Sequence, residues 1–261
     1  KLSGKNPFVN IWKKAFKEAL KRSHKIVVIG RDICKLVETM SGDLKQKLEY
    51  IPHWQDERLI HPMEYNTNQF IIEHDLADKF VVQYAGNMGL WNEVSAMGRV
   101  AGSNLKDVAF VFTGDGIRKR ELLEEMDMQN RENVFFFDFQ LNENFNTMLN
   151  ASHVQLVTLR AGLEGIAVPS KIYGILAAGK PVIALVPDQS EVACVVREEN
   201  CGFVVDPGDH DGLFNSVSIL KADENLRKQF SLNSRAAFEK KYTLKIAAEK
   251  YISLLSGLIQ A

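Results

Sequence analysis

Lys171 has the most chemistry to offer in this chain. It follows Ser170 at what reads as the start of a short helix, residues 171–178, between apolar runs at 154–159 and 181–186. β-Branched runs of that kind suit strands buried on both faces. The Ser170 hydroxyl would accept a hydrogen bond from a first-turn N–H, and Gly179 would end the helix in the left-handed conformation. Lys171 would then stand at a positive helix end on the carboxyl edge of a parallel sheet, which suits a diphosphate. An ordinary βαβ unit with a surface lysine fits the same residues.

Three more loops offer groups of matching character. In Tyr84-Ala85-Gly86-Asn87-Met88-Gly89, Gly86 and Gly89 would let backbone N–H groups come close to a phosphate, or would simply make a tight turn. The spacing is not that of the G-x-G-x-x-G dinucleotide fingerprint. In Thr113-Gly114-Asp115-Gly116, Gly114 leaves room for a ligand and Arg118 offers a fork for phosphate, although basic residues on a helix are usually a solvated face. Phe139 closes an aromatic run, 135–139, most of which belongs in a core; it or its neighbours would form a wall for a nucleobase. Glu164, upstream of Lys171, offers an acceptor for sugar hydroxyls. Four such loops at one sheet edge point to a nucleotide-type ligand.

The elements that must position these loops alternate. Strands are expected at 80–84, 108–112, 134–137, 154–159, 182–186 and 203–205. Helices are expected between them at 90–101, 117–128, 143–151, 171–178 and 191–199. That alternation predicts parallel βαβ units in a doubly wound α/β sheet, with right-handed crossovers bringing the loops to one edge. Helices at 209–220, 224–242 and 244–258 finish the chain. Ahead of the sheet, 6–23 carries Phe8, Trp12, Phe16 and Leu20 as one helical stripe, and 25–30 and 47–51 read as short strands. Asp32 is expected to cap a helix through Met40, and 52–69, rich in Pro, His and Asn, reads as a linker.

Composition excludes several classes. Of 261 residues, 46% are hydrophobic and 25% charged, ordinary for a globular protein, and a net charge of −1 without basic blocks argues against a nucleic-acid groove. No apolar run approaches membrane-spanning length and no signal-peptide pattern is present. Cys34, Cys194 and Cys201 lack metal spacing and fit reduced cytoplasmic thiols; the six His are scattered, so no metal site is expected. The opening Lys-Leu-Ser-Gly has no Met, which suggests a piece of a longer protein.

Taken together, YAGNMG, FTGDG, VPSKIYGILAAGKPVIAL and GFVVDPGD resemble the donor-binding domain of GT-B glycosyltransferases, family four (group 1), in its capsule, O-antigen and colanic-acid branch. The resemblance runs from Lys79 to the C-terminus, while KIVVIGRDICKLVE and IPHW look like the end of an acceptor domain and its linker. It implies a Rossmann-like donor domain at 70–242, an N-terminal remnant at 1–69, and a last helix, 243–261, crossing back. It further implies a UDP-linked sugar held without a metal or other cofactor, with Gly86, Asn87 and Gly89 under the diphosphate and Lys171 stabilising the leaving group.

The implied activity is a hexosyl or N-acetylhexosaminyl transfer with retention, to a glycan or lipid-linked acceptor in surface polysaccharide synthesis. It would take place in the cytoplasm, with possible peripheral contact at the inner face of the membrane. The chain departs from the family at two places. Asn87, Asn92 and Glu93 stand where an Arg and a Lys are usual. Ile166 and Gly174 stand where two Glu residues are usual, with Glu164 out of register and either Tyr173 or a backbone group as the substitute for the ribose contact, or the ribose held differently. An epimerase of the same fold and a non-catalytic sugar-nucleotide-binding module are the alternatives.

Overall fold

The computed structural model describes residues 7–40, 42–103, 105–126, 132–140 and 142–259. The first segment comprises α1 (Pro7–Arg22), β1 (Ile26–Val28), α2 (Arg31–Met40), a 3₁₀ turn (Gly42–Lys47) and β2 (Leu48–Tyr50). The β1 and β2 strands pair in parallel, and Leu20, Ile26, Val28, Val37 and Leu44 form a small core of their own. Phe8, Trp12 and Phe16 of the α1 stripe stay exposed, while Leu20 alone of the four reaches that core. Asn6, where this helix was expected to begin, lies outside the described residues.

Residues 51–68 then lead across to α3 (Gln69–Glu73), whose Phe70 and Ile71 N–H groups are satisfied by the Asn68 side chain. The expected alternation follows: β3 (Phe80–Ala85), α4 (Ser95–Ala101), β4 (Val108–Thr113), α5 (Lys119–Glu125), β5 (Val134–Phe137), α6 (Asn142–Asn150), β6 (Val154–Thr158), α7 (Lys171–Ala177), β7 (Val182–Leu185), α8 (Glu191–Glu198) and β8 (Gly202–Val205). Helices α9 (His210–Ala222), α10 (Glu224–Lys241) and α11 (Leu244–Ile259) close the chain. The last helix starts beside the segment after β2: Leu244 N–H donates to Gln55 O (3.0 Å), and Tyr251 meets Trp54 edge to face.

The six strands are all parallel, in the order β5-β4-β3-β6-β7-β8. The chain builds outwards from β3 to β5, then returns to lay β6 on the other side of β3. Strand order therefore reverses between β3 and β6, the point where doubly wound sheets open a crevice at their carboxyl ends. Strands β3, β4, β6 and β7 are buried throughout, because helices cover both faces. Phe80, Val82 and Tyr84 of β3 face one core with α4, α5 and α9; Val81 and Ala85 face the other with α6, α7 and α8.

Four expectations of local structure are corrected. The helix expected from residue 90 begins at Ser95, because the Glu93 carboxylate accepts from Ser95 N–H (2.9 Å) and Ala96 N–H (3.3 Å) and sets the start there. Residues 86–94 are consequently loop. Asp32 does not cap α2, which begins at Arg31. Its carboxylate instead accepts from Gly165 N–H (2.9 Å), Glu191 N–H (3.2 Å) and Ile33 N–H (2.8 Å), tying the first segment to the sheet. Ser170 makes no side-chain cap: its own backbone is already helical (φ −64°, ψ −17°), whereas a capping residue must be extended. The helix expected over 117–128 is Lys119–Glu125, and residues 127 and 128 lie outside the described residues.

Candidate sugar-nucleotide site

A cavity of about 690 Å³ opens at the switch point. The turn after β3 supplies Ala85, Gly86, Asn87, Trp91 and Asn92; β6 and the loop after it supply Thr158, Leu159 and 166–170; α7 supplies Lys171, Gly174 and Ile175. Phe139 and Phe145 close it from the β5 side. On a helix, positions i, i+3 and i+4 share one face, so Lys171, Gly174 and Ile175 line the cavity together. Tyr173 lies on the opposite side, fully buried, its ring 5.0 Å from that of Tyr242.

Lys171 is the charged group of this cavity. Its Nζ is buried, has no hydrogen-bond partner among the described residues and sits 3.5 Å above the centroid of the Tyr84 ring. Burial lowers its pKa to about 7. Gly86 lies directly over it: a Cβ there would come within 3.1 Å of Nζ, and the Gly86 φ of +129° disfavours any side chain as well. The two residues singled out in separate loops thus meet, some 85 positions apart in sequence.

The turn after β3 is held by its own polar groups. Tyr84 O–H donates to Asn87 O (2.7 Å), and Met88 N–H donates to Asp115 O (2.8 Å). Asn92 Oδ1 accepts from Gly89 N–H (2.9 Å), while Asn92 Nδ2 donates to Thr158 O and Oγ1, both at 3.3 Å. Gly89 N–H is therefore occupied, and Gly89 lines a shallower neighbouring hollow with Leu90 and Ile117. Arg118 is buried behind this turn. Its guanidinium pairs with Glu121 and donates to Asn92 O, so it braces Asn92 and does not line the cavity.

Gly114 supports the turn from below: at φ +123°, a Cβ would stand 2.5 Å from Gly86 O and 3.0 Å from Phe139. Gly114→Ala is expected to lower stability by about 1–3 kcal/mol and to displace Gly86 and Phe139 together; a melting curve and a ligand titration on the same variant check both.

The cavity thus gathers Gly86, Asn87, Phe139, Ser170 and Lys171. Glu164 lies exposed outside it, and Gly89, Gly114, Arg118 and Tyr173 stand around it. Ile166 and Gly174, the two positions where carboxylates were expected, both line its wall. Trp91, Thr158, Gln155 and Gln55 also line it, and sequence reasoning did not single them out. Thr158 ends a core strand at the carboxyl edge, a position that marks it in retrospect; Gln55 and Trp91 carry no such signal. Among the described residues the lining has no Asp, Glu or His. Among the described residues no cluster of three or more His, Cys, Asp or Glu is arranged for a metal, and no helix is long and apolar enough to cross a membrane.

Comparison with known proteins agrees with this arrangement. The sequence pattern of the family described as glycosyl transferases group 1 matches residues 80–223. The chain is 30% identical over 246 residues to a probable glycosyltransferase, WbjE, of Pseudomonas aeruginosa, covering 90% of this chain and 58% of that one. It is 26% identical over 144 residues to a putative colanic acid biosynthesis glycosyl transferase, WcaI, of Escherichia coli, covering 53% of this chain and 35% of that one. It therefore spans 58% of the length of one of these curated relatives and 35% of the other.

Among solved structures, Anabaena Alr3699/HepE in complex with UDP-glucose superposes with a TM-score of 0.79 at 15% identity, over 94% of this chain and 67% of that one. The sucrose-phosphate synthase of Thermosynechococcus elongatus gives 0.76 at 17% identity, over 96% and 62%. These likenesses establish a GT-B type fold, and the family match spans more than half of the residues, the site loops among them. By that family match the chain belongs to the group 1 glycosyl transferases.

Proposed function

We propose that this chain holds the diphosphate of a UDP-linked sugar at the switch-point cavity and, within a longer protein, transfers a hexosyl or N-acetylhexosaminyl group to a glycan or lipid-linked acceptor. The observation that carries the reading is the buried, unpartnered Nζ of Lys171 beneath Gly86. A cation kept out of water without a counter-ion is costly, and an anion in the cavity removes that cost. The diphosphate would lie along Gly86, Asn87, Ser170 and Lys171, the base towards Phe139 and Phe145, and the ribose beside Gly174 and Gln155.

In the transfer, the bond between the anomeric carbon and the β-phosphate oxygen breaks and its electron pair stays on that oxygen. The acceptor hydroxyl oxygen bonds to the anomeric carbon, and its proton passes to the departing diphosphate. Negative charge grows on the departing diphosphate, and a fixed cation beside it lowers the barrier more than it lowers the ground state. That role is assigned to Lys171; Glu164, an acceptor for sugar hydroxyls by type, is exposed outside the cavity lining. An epimerase needs an acid and a base in the cleft, and no carboxylate or imidazole lines this one. The UDP-glucose complex of Alr3699/HepE and the colanic acid designation of WcaI support a sugar nucleotide and a surface polysaccharide respectively.

Calorimetric titration with UDP and UDP-N-acetylhexosamines, on the wild type and on Lys171→Ala, tests the reading. Binding that Lys171→Ala weakens strongly supports it. A UDP affinity indifferent to that substitution, or a UDP-soaked crystal with the nucleotide elsewhere, removes the assignment.

A further inference from the structure

A second pocket, about 530 Å³, lies at the opposite edge of the sheet. His153 immediately precedes β6 and Lys180 lies two residues before β7, so both stand at the amino ends of the strands, away from the switch-point cavity. Glu224, Arg227, Lys228 and Ser231 of α10 complete its polar lining with Asn66 and Ser152.

Its charges do not cancel. Lys228 is paired with Glu224 at 2.6 Å, but neither Lys180 nor Arg227 has a carboxylate within ion-pair distance among the described residues. Lys180 Nζ donates to Asn150 O (3.0 Å), and Arg227 uses only Nη1, towards Leu220 O and Lys221 O. The Nε and Nη2 groups of Arg227 have no protein acceptor among the described residues, and its guanidinium stands 5.2 Å from the Phe80 ring centroid.

Burial lowers the Lys180 pKa to about 8 and also lowers that of Arg227. Burial, then the charges of Arg227 and Lys180, lowers His153 to about 4, which leaves it neutral. Its Nδ1 accepts from Val81 N–H (3.0 Å), so the ring proton is on Nε2, a further donor. The acidic groups nearest the two cations, Glu64 beside Lys180 and Glu224 and Asp223 beside Arg227, bond to neither; Glu224 pairs with Lys228, and Asp223 caps α10 through Leu226 N–H.

We infer that this pocket is an anion site, separate from the sugar-nucleotide cavity, that takes a phosphate group between Lys180 and Arg227, with Ser231 and His153 as further donors. Two half-buried cations without a counter-ion, several free N–H donors and room for a small molecule are what phosphate recognition requires. The inference does not depend on the reading of the switch-point cavity.

Inorganic phosphate is the probe, titrated calorimetrically into the chain with and without saturating UDP. Phosphate should bind with UDP present and equally well to Lys171→Ala, and about tenfold or more weaker to Arg227→Gln. Arg227 also braces the end of α9, so Ser231→Glu provides a second variant: it keeps a good helix former, sets a carboxylate in the pocket and should abolish binding. Sedimentation with phosphatidylglycerol vesicles, lost in Ser231→Glu, would assign the phosphate to a lipid headgroup; calorimetric binding without vesicle retention would assign it to a soluble anion. Displacement of phosphate by UDP, loss with Lys171→Ala, indifference to both pocket variants, or no binding of phosphate at all would overturn the site.

Discussion

Lys171→Met should weaken UDP binding about 100-fold while leaving the folded chain more stable. The loss follows from removing the one cation that, among the described residues, lines the cavity with its charge buried, where a charge-assisted phosphate contact contributes on the order of 2–4 kcal/mol. The gain in stability has the same origin. An ammonium with no partner costs more folded than unfolded, and methionine fills the same volume without a charge, for a gain of about 1–3 kcal/mol.

The pH dependence separates this from a simple packing effect. Burial holds the Lys171 pKa at about 7, below its ordinary value of 10.5, so between those limits the unfolded chain carries a proton that the folded chain does not. Wild-type stability should therefore rise with pH across that window, by up to about 1.4 kcal/mol per unit from this group. The methionine variant should lack that slope. Ligand affinity moves the other way: above pH 7 the free cavity must take up a proton to meet a diphosphate, so UDP binding should weaken as pH rises. Urea denaturation at several pH values, and calorimetry in buffers of different ionisation enthalpy, measure the two arms. A flat wild-type profile in both would contradict the role given to Lys171.

Glu191→Ala should cost about 3–5 kcal/mol, the range for breaking a buried ion pair by deleting one partner. The Glu191 side chain is fully buried and accepts from Arg31 N–H (2.7 Å), Arg31 Nε (3.0 Å), Arg31 Nη2 (3.0 Å) and Tyr50 O–H (2.5 Å). Burial, and then the bond to Glu191, pushes the Tyr50 phenol up, so it stays a donor at any working pH. Glu191→Gln keeps an acceptor and should cost less.

The same cluster reaches the cavity. Asp32 bonds both Glu191 N–H and Gly165 N–H, and Gly165 belongs to the loop that lines the cavity wall from residue 166. Loss of Glu191 should therefore weaken UDP binding several-fold as well as lower the melting temperature. A stability change below about 1 kcal/mol would mean that Arg31 is held well enough by Glu198 alone.

The strands, their parallel direction and the loops that meet at one edge could be read from the chain, because apolar β-branched runs spaced by helix-length segments leave few other arrangements. Gly179 was legible as well, and it does take a left-handed conformation, φ +63°. Lys171 was legible only as a candidate: a lysine at the head of a helix looks the same whether it faces water or a ligand.

Tertiary structure decided the rest. The return of β6 to the side of β3 set Gly86 over Lys171, and no local pattern encodes which strands become neighbours. Asp32 reads as a cap, yet it serves Gly165 and Glu191, because a buried carboxylate is taken up by whichever donors the fold brings nearest. Arg118 reads as a phosphate fork, yet Glu121 and the Asn92 carbonyl occupy it. Residue types and spacing determined the framework and its chemistry, since both follow from short-range periodicity. The strand order and the helix faces that packing turned inward decided which of those groups remained unpartnered, and so available to a ligand.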